Sequence, residues 1–318
     1  MSALYITSVE RGSGKTALAA GLAKILVAKG KKVGYIKPVT ASIDADAAFM
    51  KQLVSPSETL EAISPIIRNS EIKKYYDRIA QGKDVVIIEG TPPSGDIINA
   101  VNAKAIVVEA YSKEPFSAIE SYKALGQGLL GVVLNKVPKT KRESFTQEGR
   151  DKLGKAGINI LGVLPEDRTM MALSIGELAA NIKGEFLSGT SQSDELVENL
   201  MLGALGLDPG TVYFGRKDNK AVVLRVERPD MQLAALETST RCLVLAGSKQ
   251  PNSMVISEAA LKNVPIILAK NSTVPGLAEN IEAAIAGSRF SQAGKIPHLT
   301  QLIEQNLDLP KIYTGLGV

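Results

Sequence analysis

The sequence predicts an α/β protein with a doubly wound, mostly parallel sheet that carries a phosphate-binding loop (P-loop), followed by a smaller α/β domain. Short apolar, β-prone runs alternate with helical patterns from Leu4 to Leu164, as in a doubly wound sheet. The alternation stops near Arg168 and begins again at Ala221. We therefore expect one domain over residues 1–168 and a second over 169–318, and a chain of 318 residues can bury two cores.

A glycine-bearing turn follows the first apolar run and leads directly into a helical pattern. It reads Glu10-Arg11-Gly12-Ser13-Gly14-Lys15-Thr16-Ala17. Backbone N–H groups of such a turn and the N-terminus of the following helix attract phosphate, Lys15 would reach the terminal phosphates, and the Thr16 hydroxyl would bind Mg²⁺. The strict pattern GxxxxGK[ST] is not met, because Val9 stands at the first glycine. The alternative is an ordinary strand-to-helix turn with a solvated lysine.

The next elements bring acidic side chains towards this turn. The first helix ends at Gly30, and the second strand covers Val33–Lys37. Asp44 and Asp46 follow, and because they are two residues apart they cannot share a helix face. We expect them on a loop entering a helix from Ala47, where a carboxylate could serve a nucleotide-bound Mg²⁺. Capping of that helix explains them equally well.

The run Asp84–Gly90 predicts a central parallel strand that is buried on both faces. Glu89 stands at its carboxyl end, which faces the crevice where α/β sheets hold ligands, so it is a second candidate for Mg²⁺ or for catalysis. The alternative is a strand-end charge that faces water. Asn135 follows a later strand, and it could hydrogen-bond an adenine edge or form a turn with Lys136.

These residues occur in an order that resembles dethiobiotin synthetases. The resemblance rests on Thr7–Thr16, Lys37-Pro38-Val39, Asp46-Ala47, Glu89-Gly90, Asn135 and Gly162-Val163-Leu164-Pro165. It implies a P-loop with one extra residue, in which Ser8 takes the place of the first glycine, and a homodimer with substrate at the subunit junction. It further implies ATP and Mg²⁺ as cofactors.

The resemblance also implies roles for single residues. Lys15 and Thr16 would bind the phosphates and Mg²⁺, and Asp46 and Glu89 would be its acidic partners. Lys37 would face the reacting phosphate and Asn135 would read adenine. The sequence departs from the family after Glu89, where Thr91-Pro92-Pro93 replaces a glycine-rich run. Because proline has no backbone N–H, this departure argues against the synthetase reaction more than against nucleotide binding.

The second half lacks a P-loop and begins with a capping box from Ser174 to Glu177. It resembles the DRTGG domain, with Glu227-Arg228 and Ala246-Gly247-Ser248 in place of the motif that names it. The two halves together resemble the N-terminal portion of long phosphotransacetylases. Because the sequence lacks an acetyl-transfer domain, phosphate acetyltransferase activity is not expected. Arg228 and Lys249 could hold an anion or form a solvated strand edge.

Composition argues against several classes of function. Hydrophobic residues make up 45% and charged residues 22%, with a net charge of +4, so no nucleic-acid surface is expected. No apolar run approaches about 20 residues, so we expect no membrane span. The single cysteine, Cys242, is interpreted as a core residue in a reducing cytoplasm. With His298 the only histidine, neither a catalytic triad nor a zinc site is predicted.

Three hypotheses for function remain open. The first is an Mg²⁺-dependent ATP-binding protein whose second domain is regulatory, either sensing a ligand or mediating dimerisation. The second is an ATP-dependent synthetase acting on a small carboxylate or amine, with Lys15 and Lys37 as its catalytic residues. The third is a structural module with a vestigial P-loop.

Overall fold

The structure is a computed structural model, which describes residues 1–39, 45–68, 71–90, 92–203 and 210–318. Asp44 and Thr91, which entered the predictions above, lie outside the described residues. Contacts divide the chain into two units. The first unit comprises Met1–Asp167 with Arg289–Val318, and the second comprises Arg168–Ser288.

The first unit is built on a six-stranded sheet in which every pair of neighbouring strands is parallel. The strands are β1 Ser2–Thr7, β2 Val33–Ile36, β3 Val85–Gly90, β4 Lys104–Ala110, β5 Leu129–Val137 and β6 Ile160–Pro165. Their order across the sheet is β2-β3-β1-β4-β5-β6. The predicted doubly wound parallel sheet is therefore confirmed.

Seven helices connect these strands within the described residues. They are α1 Lys15–Ala28, α2 Ala45–Val54, α3 Leu60–Ile63, α4 Ile72–Ile79, α5 Gly95–Val101, α6 Ile119–Lys123 and α7 Arg142–Lys155, with 3₁₀ turns at Gly126–Gly128 and Lys139–Lys141. The end of α1 follows from its sequence, because Gly30 has a φ of +78° and supplies the left-handed residue that terminates a helix.

The register of the sheet brings three strand ends together. Strand β1 pairs with β3 through Ile6 and Glu89, and β2 pairs with β3 through Ile36 and Ile88. Residues Val85 to Ile88 are fully buried, as expected of a central strand with helices on both faces. The carboxyl ends of β1, β2 and β3 therefore meet at one edge, directly beside the loop that leads into α1.

The second unit is a separate, smaller α/β fold. Its strands are β7 Leu173–Ser174, β8 Glu185–Ser188, β9 Leu196–Val197, β10 Asn199–Leu202, β11 Lys220–Arg225, β12 Thr240–Ala246 and β13 Ile266–Ala269. Five of them form a sheet in the order β10-β11-β12-β13-β8, parallel except for β8, while β7 and β9 form an antiparallel pair.

The helices of the second unit flank this sheet. They are α8 Arg168–Met171, α9 Ile175–Asn181, α10 Gly210–Phe214, α11 Pro229–Leu236, α12 Ser253–Leu261 and α13 Val274–Ala286, with a 3₁₀ turn at Thr190–Gln192. The predicted capping box is confirmed, since Ser174 and Glu177 bond to each other's backbone N–H groups. Cys242 is fully buried among apolar side chains, which confirms its interpretation as a core residue, and burial raises its thiol pKa to about 12.

The C-terminal tail corrects the predicted boundary of the second domain, which extended to residue 318. The tail contains a 3₁₀ turn at Ala293–Lys295, α14 Ile296–Asn306 and α15 Leu309–Leu316, and it belongs to the first unit. Leu299 and Ile303 of α14 lie over Gly21 of α1, where an added Cβ would approach Ile303 to 2.2 Å. The Asp308 N–H donates to the Leu161 carbonyl at 2.7 Å. Apolar packing on α1 and hydrogen bonding to β6 therefore assign the tail to the first unit.

None of the helices within the described ranges is long and apolar enough to cross a bilayer.

Candidate functional site

The loop between β1 and α1 wraps around its own lysine. Lys15 is the first residue of α1 and only 8% exposed. Its Nζ donates to Ser8 Oγ at 2.7 Å and to the Glu10 carbonyl at 3.3 Å. The Ser8 hydroxyl donates to the Glu10 carbonyl at 2.6 Å. A solvated lysine on an ordinary turn is therefore the wrong interpretation, and Ser8 at the first-glycine position contributes a buried hydroxyl.

The residues in the rest of the loop differ in exposure. Glu10, Arg11 and Gly12 are exposed, whereas the side chain of Ser13 is buried and Ala17 in the first turn of α1 is half-buried. The Ser13 hydroxyl has no hydrogen-bond partner among the described residues. A buried hydroxyl without a partner is uncommon, because leaving one unsatisfied costs roughly 1–3 kcal/mol.

Asn135 and Lys136 hold this loop from the end of β5. The Asn135 amide donates to the Ser13 carbonyl at 2.8 Å, and Lys136 Nζ donates to the Gly12 carbonyl at 2.8 Å. Gly14 has a φ of +98°, and an added Cβ would lie 2.2 Å from Asn135 Nδ2. Asn135 thus supports the loop in this structure, and its role in reading adenine stays a prediction.

Four polar side chains meet at the shared edge of β1, β2 and β3, namely those of Thr16, Lys37, Asp46 and Glu89. Thr16 Oγ1 lies 3.0 Å from Asp46 Oδ2 and 2.8 Å from Glu89 Oε1. Lys37 Nζ lies 2.6 Å from the same Asp46 oxygen and 3.1 Å from the same Glu89 oxygen. We name these four residues the acid–lysine cluster. Thr16 and Lys37 therefore contact the same two oxygens, one from Asp46 and one from Glu89.

One prediction about the acids needs correction, and one alternative is excluded. Asp46 was expected on a loop before a helix starting at Ala47, but it lies in the first turn of α2, which begins at Ala45. A carboxylate in the first turn is favoured by the partial positive charge of the helix N-terminus. Glu89 is 1% exposed, so the alternative of a strand-end charge facing water is wrong.

Tyr35 is a member of the site that the sequence predictions missed. Its hydroxyl donates to Glu89 Oε2 at 2.8 Å, and the residue is fully buried. Glu89 Oε1 is then the oxygen that contacts Thr16 and Lys37. A sequence signal exists, because residues two apart in an extended chain point to the same side, and Tyr35 in β2 is two residues before Lys37, which directly follows β2.

The electrostatics of the site follow from burial. Burial lowers the pKa of Lys15, while Glu89 and Asp46 act in the opposite direction and Lys37 lowers it further. The side chains of Lys37 and Asp46 are 13% and 15% exposed and that of Glu89 is 2% exposed. Lys15 and Lys37 thus balance two carboxylates, and because these side chains are largely shielded from solvent, the interactions between their charges are stronger than in water.

The donor set bears on which metal the site could hold. No group of three or more His, Cys, Asp and Glu side chains with metal-binding geometry occurs in the described part of the chain. Two carboxylates and a hydroxyl beside a P-loop suit Mg²⁺, which is usually bound by one or two carboxylates together with substrate phosphates.

The strand ends of the second unit carry charges of another kind. Arg228 pairs with Asp230 at 2.7 Å with both side chains exposed, and Lys249 lies 3.9 Å from Glu227. The solvated strand edge is therefore the better interpretation of Arg228 and Lys249. His298, in the tail of the first unit, contacts Asp167 at 3.0 Å.

Comparison with known families gives two matches that divide the chain. The profile of an AAA domain family matches residues 2–174, and the profile of the DRTGG domain matches residues 177–283.

Curated relatives match either most of the chain or its first half. A phosphate acetyltransferase from Synechocystis sp. is 20% identical over 363 aligned residues, covering 99% of this chain and 52% of the relative. A phosphate acetyltransferase from Pseudomonas aeruginosa is 24% identical and is covered over 41% of its length. An ATP-dependent dethiobiotin synthetase from Methanococcus vannielii is 22% identical, covering 52% of this chain and 94% of the relative. The chain thus spans about half, or less, of these phosphate acetyltransferases.

Solved structures match with low identity. The septum site-determining protein MinD from Pyrococcus horikoshii, complexed with Mg-ADP, gives a TM-score of 0.40 at 17% identity, covering 53% of this chain and 83% of that one. The CBS and DRTGG domains of a Clostridium perfringens pyrophosphatase give a TM-score of 0.31 at 12% identity, covering 48% and 72%.

Proposed function

Because the chain belongs to the AAA domain family and is homologous to dethiobiotin synthetases and to the N-terminal region of phosphate acetyltransferases, we propose that its first unit binds ATP together with Mg²⁺. The observation that carries the proposal is the acid–lysine cluster beside the P-loop. A hydroxyl, two carboxylates and the half-buried Lys37 lie together beside this loop, and these are groups of the kind that bind phosphates and Mg²⁺ at a P-loop.

Each residue has a proposed part in this binding. The backbone of Glu10 to Ala17 and the Lys15 ammonium would hold the phosphates, and the Ser13 hydroxyl would gain the partner that it lacks among the described residues. Thr16, Asp46 and Glu89 would hold Mg²⁺, which neutralises phosphate charge when bound. Lys37 would face the terminal phosphate, and Asn135 would approach the adenine from the end of β5.

The second unit is proposed to be regulatory. It carries the DRTGG domain, and the charged residues at its strand ends are exposed and paired with neighbours. Such a unit suits ligand sensing or dimerisation better than catalysis. The proposal includes the homodimer implied by the resemblance to synthetases and a location in the reducing cytoplasm, which suits a single buried cysteine.

Thermal unfolding with ATP tests the proposal. At a hundredfold excess of ATP over its Kd, with Mg²⁺, binding stabilises the native state by about 2.7 kcal/mol. We expect the melting temperature of the wild type to rise by several degrees and that of Lys15→Ala to stay unchanged. Lys24→Ala is the matched control, because Lys24 lies on the same helix outside the loop. If saturating ATP and Mg²⁺ do not change the melting temperature of the wild type, the proposal is refuted. The hypothesis of a structural module with a vestigial P-loop would then remain.

A second candidate is an ATP-dependent synthetase acting on a small carboxylate or amine. It is favoured by the match, which covers 94% of a dethiobiotin synthetase. It is also favoured by the position of Lys37, which contacts the same Asp46 oxygen as Thr16 does. The loop after β3 weakens it, because Pro92 and Pro93 offer no N–H and the Pro92 carbonyl accepts from the Tyr5 hydroxyl at 3.1 Å. Phosphate release from ATP that depends on an added carboxylate or amine, and is lost in Lys15→Ala, would establish this activity.

A further inference from the structure

The acid–lysine cluster already contains a cation. Lys37 Nζ and Thr16 Oγ1 contact the same two oxygen atoms, Asp46 Oδ2 and Glu89 Oε1. The ammonium approaches Asp46 to 2.6 Å, a short charge-assisted contact. These two acids and Thr16 are also the residues that the proposed function assigns to Mg²⁺. The Lys37 ammonium and Mg²⁺ would therefore use the same two carboxylate oxygens.

The two cations compete for this pair. Mg²⁺ binds carboxylate oxygens at about 2.0–2.1 Å, so on these oxygens it would lie close to an ammonium that contacts both of them. The ammonium and the Mg²⁺ ion would repel each other strongly on these shared oxygens, because the cluster is largely shielded from the water that would screen the two charges. Glu89 has little freedom to separate the two, because its other oxygen accepts from the buried Tyr35 hydroxyl.

We propose that Lys37 is the resident counter-ion of the metal site, which occupies the Asp46–Glu89 pair in the absence of nucleotide and must leave these oxygens before a divalent cation can bind there. This inference rests on the proposed function, because it concerns the same site. Free divalent cations are excluded by the ammonium. ATP brings phosphate oxygens that offer the ammonium new acceptors, so the metal binds only together with nucleotide.

The proposal makes a prediction that an ordinary structural ion pair does not make. Removing the Lys37 charge creates a metal site that works without nucleotide. We expect Lys37→Met to bind Mn²⁺ alone at least about tenfold more tightly than the wild type does, because two neighbouring carboxylates are left without their cation. Its melting temperature should fall without metal and be restored by Mn²⁺. A purely structural lysine would lower the melting temperature without restoration by metal.

The experiment titrates Mn²⁺ against the full-length chain without nucleotide and follows the loss of the free-ion signal by electron paramagnetic resonance. Lys37→Met and Lys37→Gln remove the charge, and the second keeps hydrogen-bond donors in case the first does not fold. Lys37→Arg keeps the charge and should resemble the wild type. Lys51→Met is the matched control, because Lys51 lies on α2 with Asp46 but donates to the Pro56 carbonyl.

Location is checked with the double variant Lys37→Met/Asp46→Asn, which should lose the new Mn²⁺ site. The inference is overturned if the wild type without nucleotide binds Mn²⁺ as tightly as Lys37→Met, or if neither Lys37→Met nor Lys37→Gln gains Mn²⁺ affinity. A failure of the proposed function is seen separately, as a wild type that binds no ATP with or without metal. The Mn²⁺ titration without nucleotide does not depend on that result.

Discussion

Both units place charged residues at the carboxyl ends of parallel strands, but they treat those charges differently. In the first unit Glu89 is buried and contacts Lys37, whose side chain is 13% exposed, at 3.1 Å. In the second unit the corresponding charges after β11 and β12 face water, with Glu227 50% and Lys249 77% exposed. Charge at a strand end is therefore common to both units, and burial of that charge distinguishes them.

The order of the strands explains the difference. In the first unit the chain moves from β1 to β2 and β3 on one side and then to β4 on the other, so the order reverses at β1. Such a reversal opens a crevice at the carboxyl ends, where α/β sheets bind ligands. In the second unit β10 to β13 follow one another across the sheet without reversal. The reversal of strand order therefore favours the carboxyl edge of β1, β2 and β3 as the candidate site.

The largest expected effect tests this contrast through stability. Replacing Glu89 with alanine leaves Asp46 as the one carboxylate of the cluster to balance Lys37 and Lys15, and it removes the acceptor of the buried Tyr35 hydroxyl. Removing one partner of a buried charge pair typically costs about 3–5 kcal/mol. Glu227→Ala, its counterpart at the exposed edge, should change stability by no more than about 0.5 kcal/mol. Urea denaturation followed by circular dichroism measures both, and similar losses for the two variants would contradict the contrast.

Much of this site follows from local sequence signals. The order of strand, glycine turn and helix predicts the position of Lys15 and Thr16, and the apolar run before Glu89 predicts a central strand. Each signal depends on residues that are neighbours in the chain. The sheet register then brings the predicted residues together without further information, because the carboxyl ends of neighbouring parallel strands share an edge.

The parts that were not predicted depend on contacts between distant segments. The spacing of Leu299 and Ile303 predicts that α14 buries one apolar face, but it does not predict that this face packs on α1 of the first unit. The hydrogen bond from Tyr35 to Glu89 requires the side-chain geometry of two strands. The Lys15 contact with Ser8 depends on how the loop closes. Tertiary structure decides such contacts.

The second prediction concerns two glycines of the P-loop. Gly12 and Gly14 both have positive φ, +72° and +98°, so alanine is strained at either position. That strain costs about 1–2 kcal/mol. Only at Gly14 would the new methyl group meet another side chain, since Asn135 Nδ2 lies 2.2 Å from the added Cβ. We therefore expect Gly14→Ala to weaken ATP binding at least about tenfold more than Gly12→Ala does, as measured by calorimetry. Equal losses would show that Asn135 does not position the loop.

The third prediction uses the buried charge of Lys15. Burial lowers its pKa, so it loses its proton at a lower pH than an exposed lysine, whose ordinary value is 10.5. ATP binding favours the protonated form, so affinity should fall as the pH rises towards 10.5, with the decline beginning below that value. Lys15→Arg keeps its charge over this range, because a guanidinium titrates above about pH 12. Calorimetric titrations between pH 7 and 9.5 check the sign, and a wild-type affinity that rises with pH would contradict it.

The smallest expected effect belongs to the exposed strand ends of the second unit. The Arg228 side chain is 42% exposed and pairs with Asp230, and the Lys249 side chain is 77% exposed. Surface ion pairs contribute little, because water screens them and their long side chains lose entropy when they are held in place. We expect Arg228→Ala and Lys249→Ala to leave ATP affinity and melting temperature unchanged within error, whereas Lys15→Ala abolishes binding. A loss of ATP affinity in either variant would mean that an exposed charge in the second unit takes part in nucleotide binding. Burial of the strand-end charges would then not distinguish the functional edge of the first sheet from the corresponding edge of the second.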